Sequence, residues 1–270
     1  MNHKNILLFL VTVLFVACDK GPFDIHPYDV HITGATNLNA TNIAKIEETC
    51  KGKDTLRVAF ISDTHLWVSQ FQKEVDDINR RKDSIDFVVH CGDITDTGTT
   101  REYEWTRKIL EKLERPHVVL IGNHDFLGTG DQVYENMYGD LDFSFIAGTT
   151  KFVCLNTNAT EYDYLAAVPN FDYMDEQIHA DSAKFNHTVV CMHAGPGSEQ
   201  FNNNVTKMFG YVLSLYPGLY CCLYGHDHHF QATDMYHNGT MWYEIASAQA
   251  REYLLFTFTP NGYSYERIHY

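Results

Sequence analysis

The chain has 270 residues, 44% of them hydrophobic and 14% aromatic, enough apolar material for one substantial core and one domain with short appendages. Its 20 basic against 35 acidic residues give a formal charge of -15, which repels a long polyanion and argues against polymeric DNA or RNA as a partner. A small phosphorylated substrate stays open, because bound cations reverse the local charge whatever the global sign.

Lys4 and the apolar run 6–17, broken only by Thr12, have the form of a signal-peptide start and core, too short to cross a bilayer comfortably. Phe15-Val16-Ala17-Cys18 then resembles a bacterial lipobox, with Phe15 where leucine is usual. The expectation is an exported bacterial lipoprotein: residues 1–17 removed, Cys18 lipidated, and a cell-envelope membrane touched only through that anchor. A plain cleaved signal, or an uncleaved anchor or buried helix, is the alternative. Residues 18–55 read as a tether and N-terminal extension, with Pro22, Pro27 and Gly34, an edge strand around 28–33 and a short helix near 41–49. Of the seven cysteines, five lie in apolar strand-like runs and read as small buried hydrophobes; the spacing shows neither a disulfide framework nor a CxxC site.

From residue 56 a single domain to 270 is expected. Compact apolar runs at 56–61, 87–90, 118–121, 152–155, 188–192 and 220–224 carry the length and β-branched or aromatic content of buried strands. Helices are predicted between them, notably over 100–113, where Tyr103, Ile109, Leu110 and Leu113 share a face, and over roughly 172–184. Strands alternating with helices imply an α/β architecture. Beyond Phe230 the pattern turns to strands at 231–236, 241–245, 254–259 and 263–269, with Asn238-Gly239 and Asn261-Gly262 as hairpin turns.

The chemistry follows the apolar runs. Ile61-Ser62 leads to Asp63-Thr64-His65, Val89-His90-Cys91 to Gly92-Asp93 and Asp96, Leu120-Ile121 to Gly122-Asn123-His124-Asp125, Cys191-Met192 to His193, and Leu223-Tyr224 to Gly225-His226-Asp227-His228. Each motif alone has a bland reading as a turn or a satisfied histidine. Five strand ends delivering oxygen and imidazole donors point instead to one crevice at the carboxyl edge of a sheet.

Together these motifs resemble the full signature of the calcineurin-like metallophosphoesterase superfamily. The resemblance implies a four-layer α/β/β/α sandwich of two mixed sheets flanked by helices. It implies that Asp63, His65 and His228 hold one metal, that Asn123, His193 and His226 hold the other, and that Asp93 bridges the two. Unaided phosphate-ester hydrolysis is too slow for one general base to rescue, whereas two cations clamp the phosphoryl oxygens and generate a bridging hydroxide nucleophile. Oxygen and imidazole donors without thiolate suit two divalent or trivalent transition-metal ions such as Mn, Fe or Zn. His124 is the expected general acid, and Asp96 resembles the family's partner for that histidine.

His90, His117, His179, His187 and His229 are read as structural, the last because it faces away from 226 and 228 in an extended segment. Trp67 and Phe126 are equally readable as pocket walls or plain packing. The motifs lack the Asp-Arg-Gly of protein Ser/Thr phosphatases and the tyrosine ligand of purple acid phosphatases. They look most like bacterial class III cyclic-nucleotide phosphodiesterases. The expected activity is hydrolysis of a small phosphodiester, favoured over a monoester. External nucleotides, phospholipid headgroups and sugar phosphates are the substrates an exported enzyme would meet. The competing reading is a catalytically silent surface binding module on the same fold.

Overall fold

Alternation along the strands builds the molecule. In β1 (Leu56–Ile61), Leu56, Val58 and Phe60 point one way and Ala59 and Ile61 the other, and each set enters a different apolar cluster. The same period of two divides β2 (Phe87–His90), β5 (Thr150–Leu155), β6 (His187–Met192) and β7 (Leu219–Tyr224). The computed structural model describes residue 26, residues 28–161 and residues 167–270; the expected signal peptide and Cys18 lie outside them.

One sheet runs β11-β10-β1-β2-β3, with β3 at His117–Val119, β10 at Glu252–Thr259 and β11 at Gly262–His269. The other runs β4-β5-β6-β7-β9-β8, with β4 at Phe143–Ala147, β8 at Gln231–Thr233 and β9 at Met241–Glu244. β1, β2 and β3 are mutually parallel, as are β5, β6, β7 and β9, whereas β10, β11, β4 and β8 pair antiparallel. Phe60, Phe87, Phe152, Leu223 and Phe256 fill the space between the sheets.

Helices cover the outer faces. α2 (Val68–Arg80), α3 (Thr100–Leu110) and α4 (Gly130–Met137) lay Phe71, Val75, Tyr103, Leu110 and Tyr134 on the first sheet. α5 (Phe171–His179) and α6 (Thr206–Leu213) lay Met174, Ile178, Phe209 and Leu213 on the second. The layers are therefore α/β/β/α, two mixed sheets between helices. All six cysteines among the described residues are buried and free, and adjacent Cys221 and Cys222 enter opposite cores.

Several local expectations are corrected. No strand forms at 28–33; Thr33 instead gives its backbone N–H and its hydroxyl to the Glu104 carboxylate, at 2.9 and 2.7 Å. The edge it might have joined is already sealed. Asn39 on α1 (Leu38–Cys50) donates to Val119 O at 2.8 Å and accepts from Val119 N at 2.9 Å, blunting the end of β3. α1 also sends Ile46 and Cys50 into the inter-sheet core. α3 stops at Leu110, and α5 at His179, short of 113 and 184.

Candidate metal centre

The parallel strands β1, β2, β3, β6 and β7 release their loops at one edge, and all seven expected ligands sit in those loops. Bonds between loops knit the two sheets there. His193 Nδ1 donates to Cys91 O at 2.8 Å, and His226 N donates to Asp63 Oδ2 at 3.0 Å. Four of the seven, Asp63, Asp93, His226 and His228, have positive φ between 52° and 83°. Such backbone costs about 1–3 kcal/mol per non-glycine residue and persists where the surroundings over-determine it, as functional sites do.

The donors form two overlapping groups. Asp63, His65, Asp93 and His228 have donor atoms within 4.8 Å of one another, and so do Asp93, His193 and His226. Asp93 belongs to both. In the first group His65 Nε2 and His228 Nε2 face each other at 3.3 Å, and His228 Nε2 is 3.4 Å from Asp63 Oδ1. In the second, Asn123 Oδ1 lies 3.0 Å from both His193 Nε2 and His226 Nδ1, and His193 Nε2 is 3.3 Å from Asp93 Oδ2.

This arrangement fits two cations. Asp63 Oδ1 is buried with no hydrogen-bond partner, and the His65 and His228 Nε2 atoms converge beside it at 3.3 Å, a donor set that one cation would satisfy. Burial opposes charge on Asp63 and Asp93, yet His228 and His193 hold both carboxyls below the ordinary carboxylate range. Burial likewise opposes a charged His193, but Asp93 and Asp63 draw it up to about 10. Two buried carboxylates thus demand positive charge at this spot. Asp63, His65, Asp93 and His228 would hold one cation, and Asp93, Asn123, His193 and His226 the other.

Glycines make the close approach possible. A Cβ on Gly122 would collide with the Asp93 carboxylate, and one on Gly225 would meet Asp63 Oδ2 at 2.5 Å. Asp125, fully buried, ties the second and third ligand loops together. It accepts from Thr95 N, Thr95 Oγ1, Ile94 N and Gly122 N at 2.8–3.1 Å.

His124 borders the cluster without joining either ligand group. Its backbone N–H donates to Asp93 Oδ1 at 2.9 Å, and its ring centroid is 4.6 Å from that of His65. Asp96 meets it through the backbone: Nδ1 donates to Asp96 O at 2.8 Å, while the carboxylate stands 3.8 Å from the same nitrogen and 3.5 Å from His65 Nδ1. The carbonyl therefore fixes the Nδ1–H tautomer and turns Nε2 outward.

Glu199 was not anticipated: its Oε1 lies 3.1 Å from His226 Nε2, behind the ligand. It lies six residues beyond His193 in the loop that leaves β6, and no motif at that distance from the strand end marks it in the sequence. His229 points to Glu244 at 3.3 Å, away from the cluster. His90 is clamped between Thr64 Oγ1 and Gly92 N, and burial pushes it down to about 3, a neutral post under the ligand loops. Phe126 is buried in the helix-side core.

Comparison with known proteins agrees with this geometry. The chain is 26% identical over 194 residues to a 3',5'-cyclic-nucleotide phosphodiesterase of Nostoc sp. (strain PCC 7120), covering 64% of this chain and 71% of that protein. It is 44% identical over 48 residues to a protein of Arcobacter nitrofigilis named probable glycerophosphodiester phosphodiesterase, an overlap of 18% of each. Its fold is similar to that of a dimetal phosphatase from Danio rerio, with a TM-score of 0.58 at 12% identity over 80% of this chain and 99% of that one. A family model described as calcineurin-like phosphoesterase matches residues 56–230, more than half the chain, and the protein belongs to that family.

Proposed function

We propose that the protein is a metal-dependent phosphodiesterase acting on small phosphodiesters. The observation that carries this is the pair of donor groups sharing Asp93. Two bound cations would supply Lewis-acid stabilisation of the phosphoryl oxygens and acidify a water for in-line attack. Asp63 and Asp93 are the only anionic donors of the seven, so two divalent cations would keep a net positive charge in a chain of formal charge -15. Asn123 donates a neutral oxygen and preserves that charge.

His124 serves as general acid. With Nδ1–H held by the Asp96 carbonyl, its cationic form presents Nε2–H to the departing oxygen. Two features support a diester. Among the described residues no lysine or arginine lines the adjoining cavity, so no basic side chain there adds to the cations' attraction for the second charge of a monoester. Both relatives named above are phosphodiesterases by name. If residues 1–17 export the chain, external nucleotides, phospholipid headgroups and sugar phosphates are the esters it meets.

The test is metal content together with initial rates on bis-p-nitrophenyl phosphate and p-nitrophenyl phosphate, with Mn, Fe or Zn added. Faster diester turnover is expected. A faster monoester would discard the diester assignment, and two bound metals without turnover of any phosphoester would support the binding module.

A further inference from the structure

Between α2 and α3, beside the metal-ligand cluster, lies a cavity of about 270 Å³. It shares two residues with the site: His65, a proposed ligand, and Asp96, whose carbonyl holds the general acid His124. The remaining wall is mostly Leu66, Val68, Phe71, Ile94, Trp105 and Ile109.

Most of its polar lining is already engaged, His65 Nδ1 being the buried atom left without a hydrogen-bond partner. Thr64 Oγ1 pairs with His90, Thr95 Oγ1 donates to Asp125, and Thr106 Oγ1 donates to Ile94 O. The Glu102 carboxylate accepts from Thr97 N, Thr97 Oγ1 and Thr99 N. A polar group entering would lose water with little beyond His65 Nδ1 to pair with, and an anion would also face Asp96 and Glu102. An uncharged apolar group meets neither cost.

The rim is apolar as well. Leu66, Val68 and Trp105 are 60%, 61% and 53% exposed, large side chains held in water around a concavity. Leu66 is held there with φ at 61°, directly after the ligand His65, and Arg101 stacks 5.0 Å over the Trp105 ring.

We infer that this cavity receives the leaving side of the substrate, and that the preferred diester carries a neutral, ring-sized apolar alcohol there. The inference rests on the phosphodiesterase reading above. In the step, the P–O bond to that alcohol breaks and its oxygen takes a proton from His124. Water gives its hydroxyl to phosphorus and its other proton to replace the one His124 donated, so the products are a phosphomonoester and a neutral alcohol. The cavity adjoins the acid through Asp96 and His65, so an alcohol held there leaves from beside His124.

The experiment compares methyl phenyl phosphate with methyl 2-naphthyl phosphate on the full chain with added Mn. The two leaving phenols are similar in acidity and differ in ring area. Wild type should favour the naphthyl ester in kcat/KM by on the order of tenfold. Trp105→Ala, which removes a wall, and Val68→Trp, which fills the space, should each bring the ratio near unity. Both positions are more than half exposed, so thermal melts should show intact folds. Binding of 2-naphthol to the EDTA-treated chain, read by ligand-observed NMR, should be seen for wild type and lost in both variants. Turnover without ring preference, or a preference that survives both substitutions, overturns the leaving-group cavity alone. No turnover of either ester overturns the phosphodiesterase reading and this inference with it.

Discussion

Glu199 Oε1 stands 3.1 Å from His226 Nε2, on the opposite side of the imidazole from Asn123 Oδ1, which is 3.0 Å from Nδ1. A carboxylate behind a ligating histidine fixes its tautomer and raises its basicity. Glu199→Gln keeps the shape and should weaken affinity for the second metal. Such partners typically contribute 10- to 100-fold, and because this carboxylate is 76% exposed the lower end, about tenfold, is expected. Competition against a metallochromic chelator measures it; equal affinities would reduce Glu199 to a surface contact.

Metal removal should destabilise the whole domain, because the ligand loops join both sheets and hold four residues at positive φ. A ligand that binds only the folded state adds about 2.7 kcal/mol at 100 times its Kd. Added Mn or Zn should therefore raise Tm by several degrees over the EDTA-treated chain, roughly 2–4 °C per kcal/mol at this size. Gly225→Ala, whose methyl would press on Asp63, should abolish much of that rise. A Tm indifferent to metal in the wild type would mean that the cluster does not bind.

Glu74 on α2 is 1% exposed, its Oε2 has no hydrogen-bond partner, and burial, aided by Asp77, pushes its carboxyl well above the usual range. Below the unfolded-state pKa of about 4.3, both states hold the proton and the group costs nothing. As pH rises past that value the unfolded chain releases the proton while the folded chain keeps it. Stability then falls by about 1.4 kcal/mol per pH unit until the folded pKa is reached. Glu74→Gln should leave Tm nearly unchanged at pH 4.5 and raise it by several degrees at pH 8. A gain independent of pH would point to packing instead.

The strand ends were legible because buried parallel strands are short apolar runs, and a ligand placed just after one is visible as a polar break. That is how Asp63, Asp93, Asn123, His193 and His226 could be located before any fold was known. β4 was missed because Ser144 breaks its apolar run to the three residues Phe145–Ala147, and its alternation in burial shows only in the fold. The place of α1 in the core depends on Asn39 finding Val119, 80 residues away, and no local pattern carries that. Glu199 and the cavity beside Trp105 were invisible for the same reason: both exist only where distant segments meet.

One ring nitrogen of His124 is committed. The Asp96 carbonyl occupies Nδ1, so proton delivery is left to Nε2 on the open side of a ring whose side chain is 36% exposed. An alkoxide needs that proton to depart, whereas p-nitrophenolate leaves well without it. His124→Asn should therefore reduce kcat on an alkyl diester by about 10²- to 10⁴-fold, the usual contribution of a positioned acid, and on an aryl diester by much less. The backbone N–H of residue 124 still reaches Asp93 in the variant, so metal content should hold, and measuring it separates lost acid from lost metal. Equal losses on the two esters with metal retained would remove His124 from the proton-transfer step, and unequal losses would place it there.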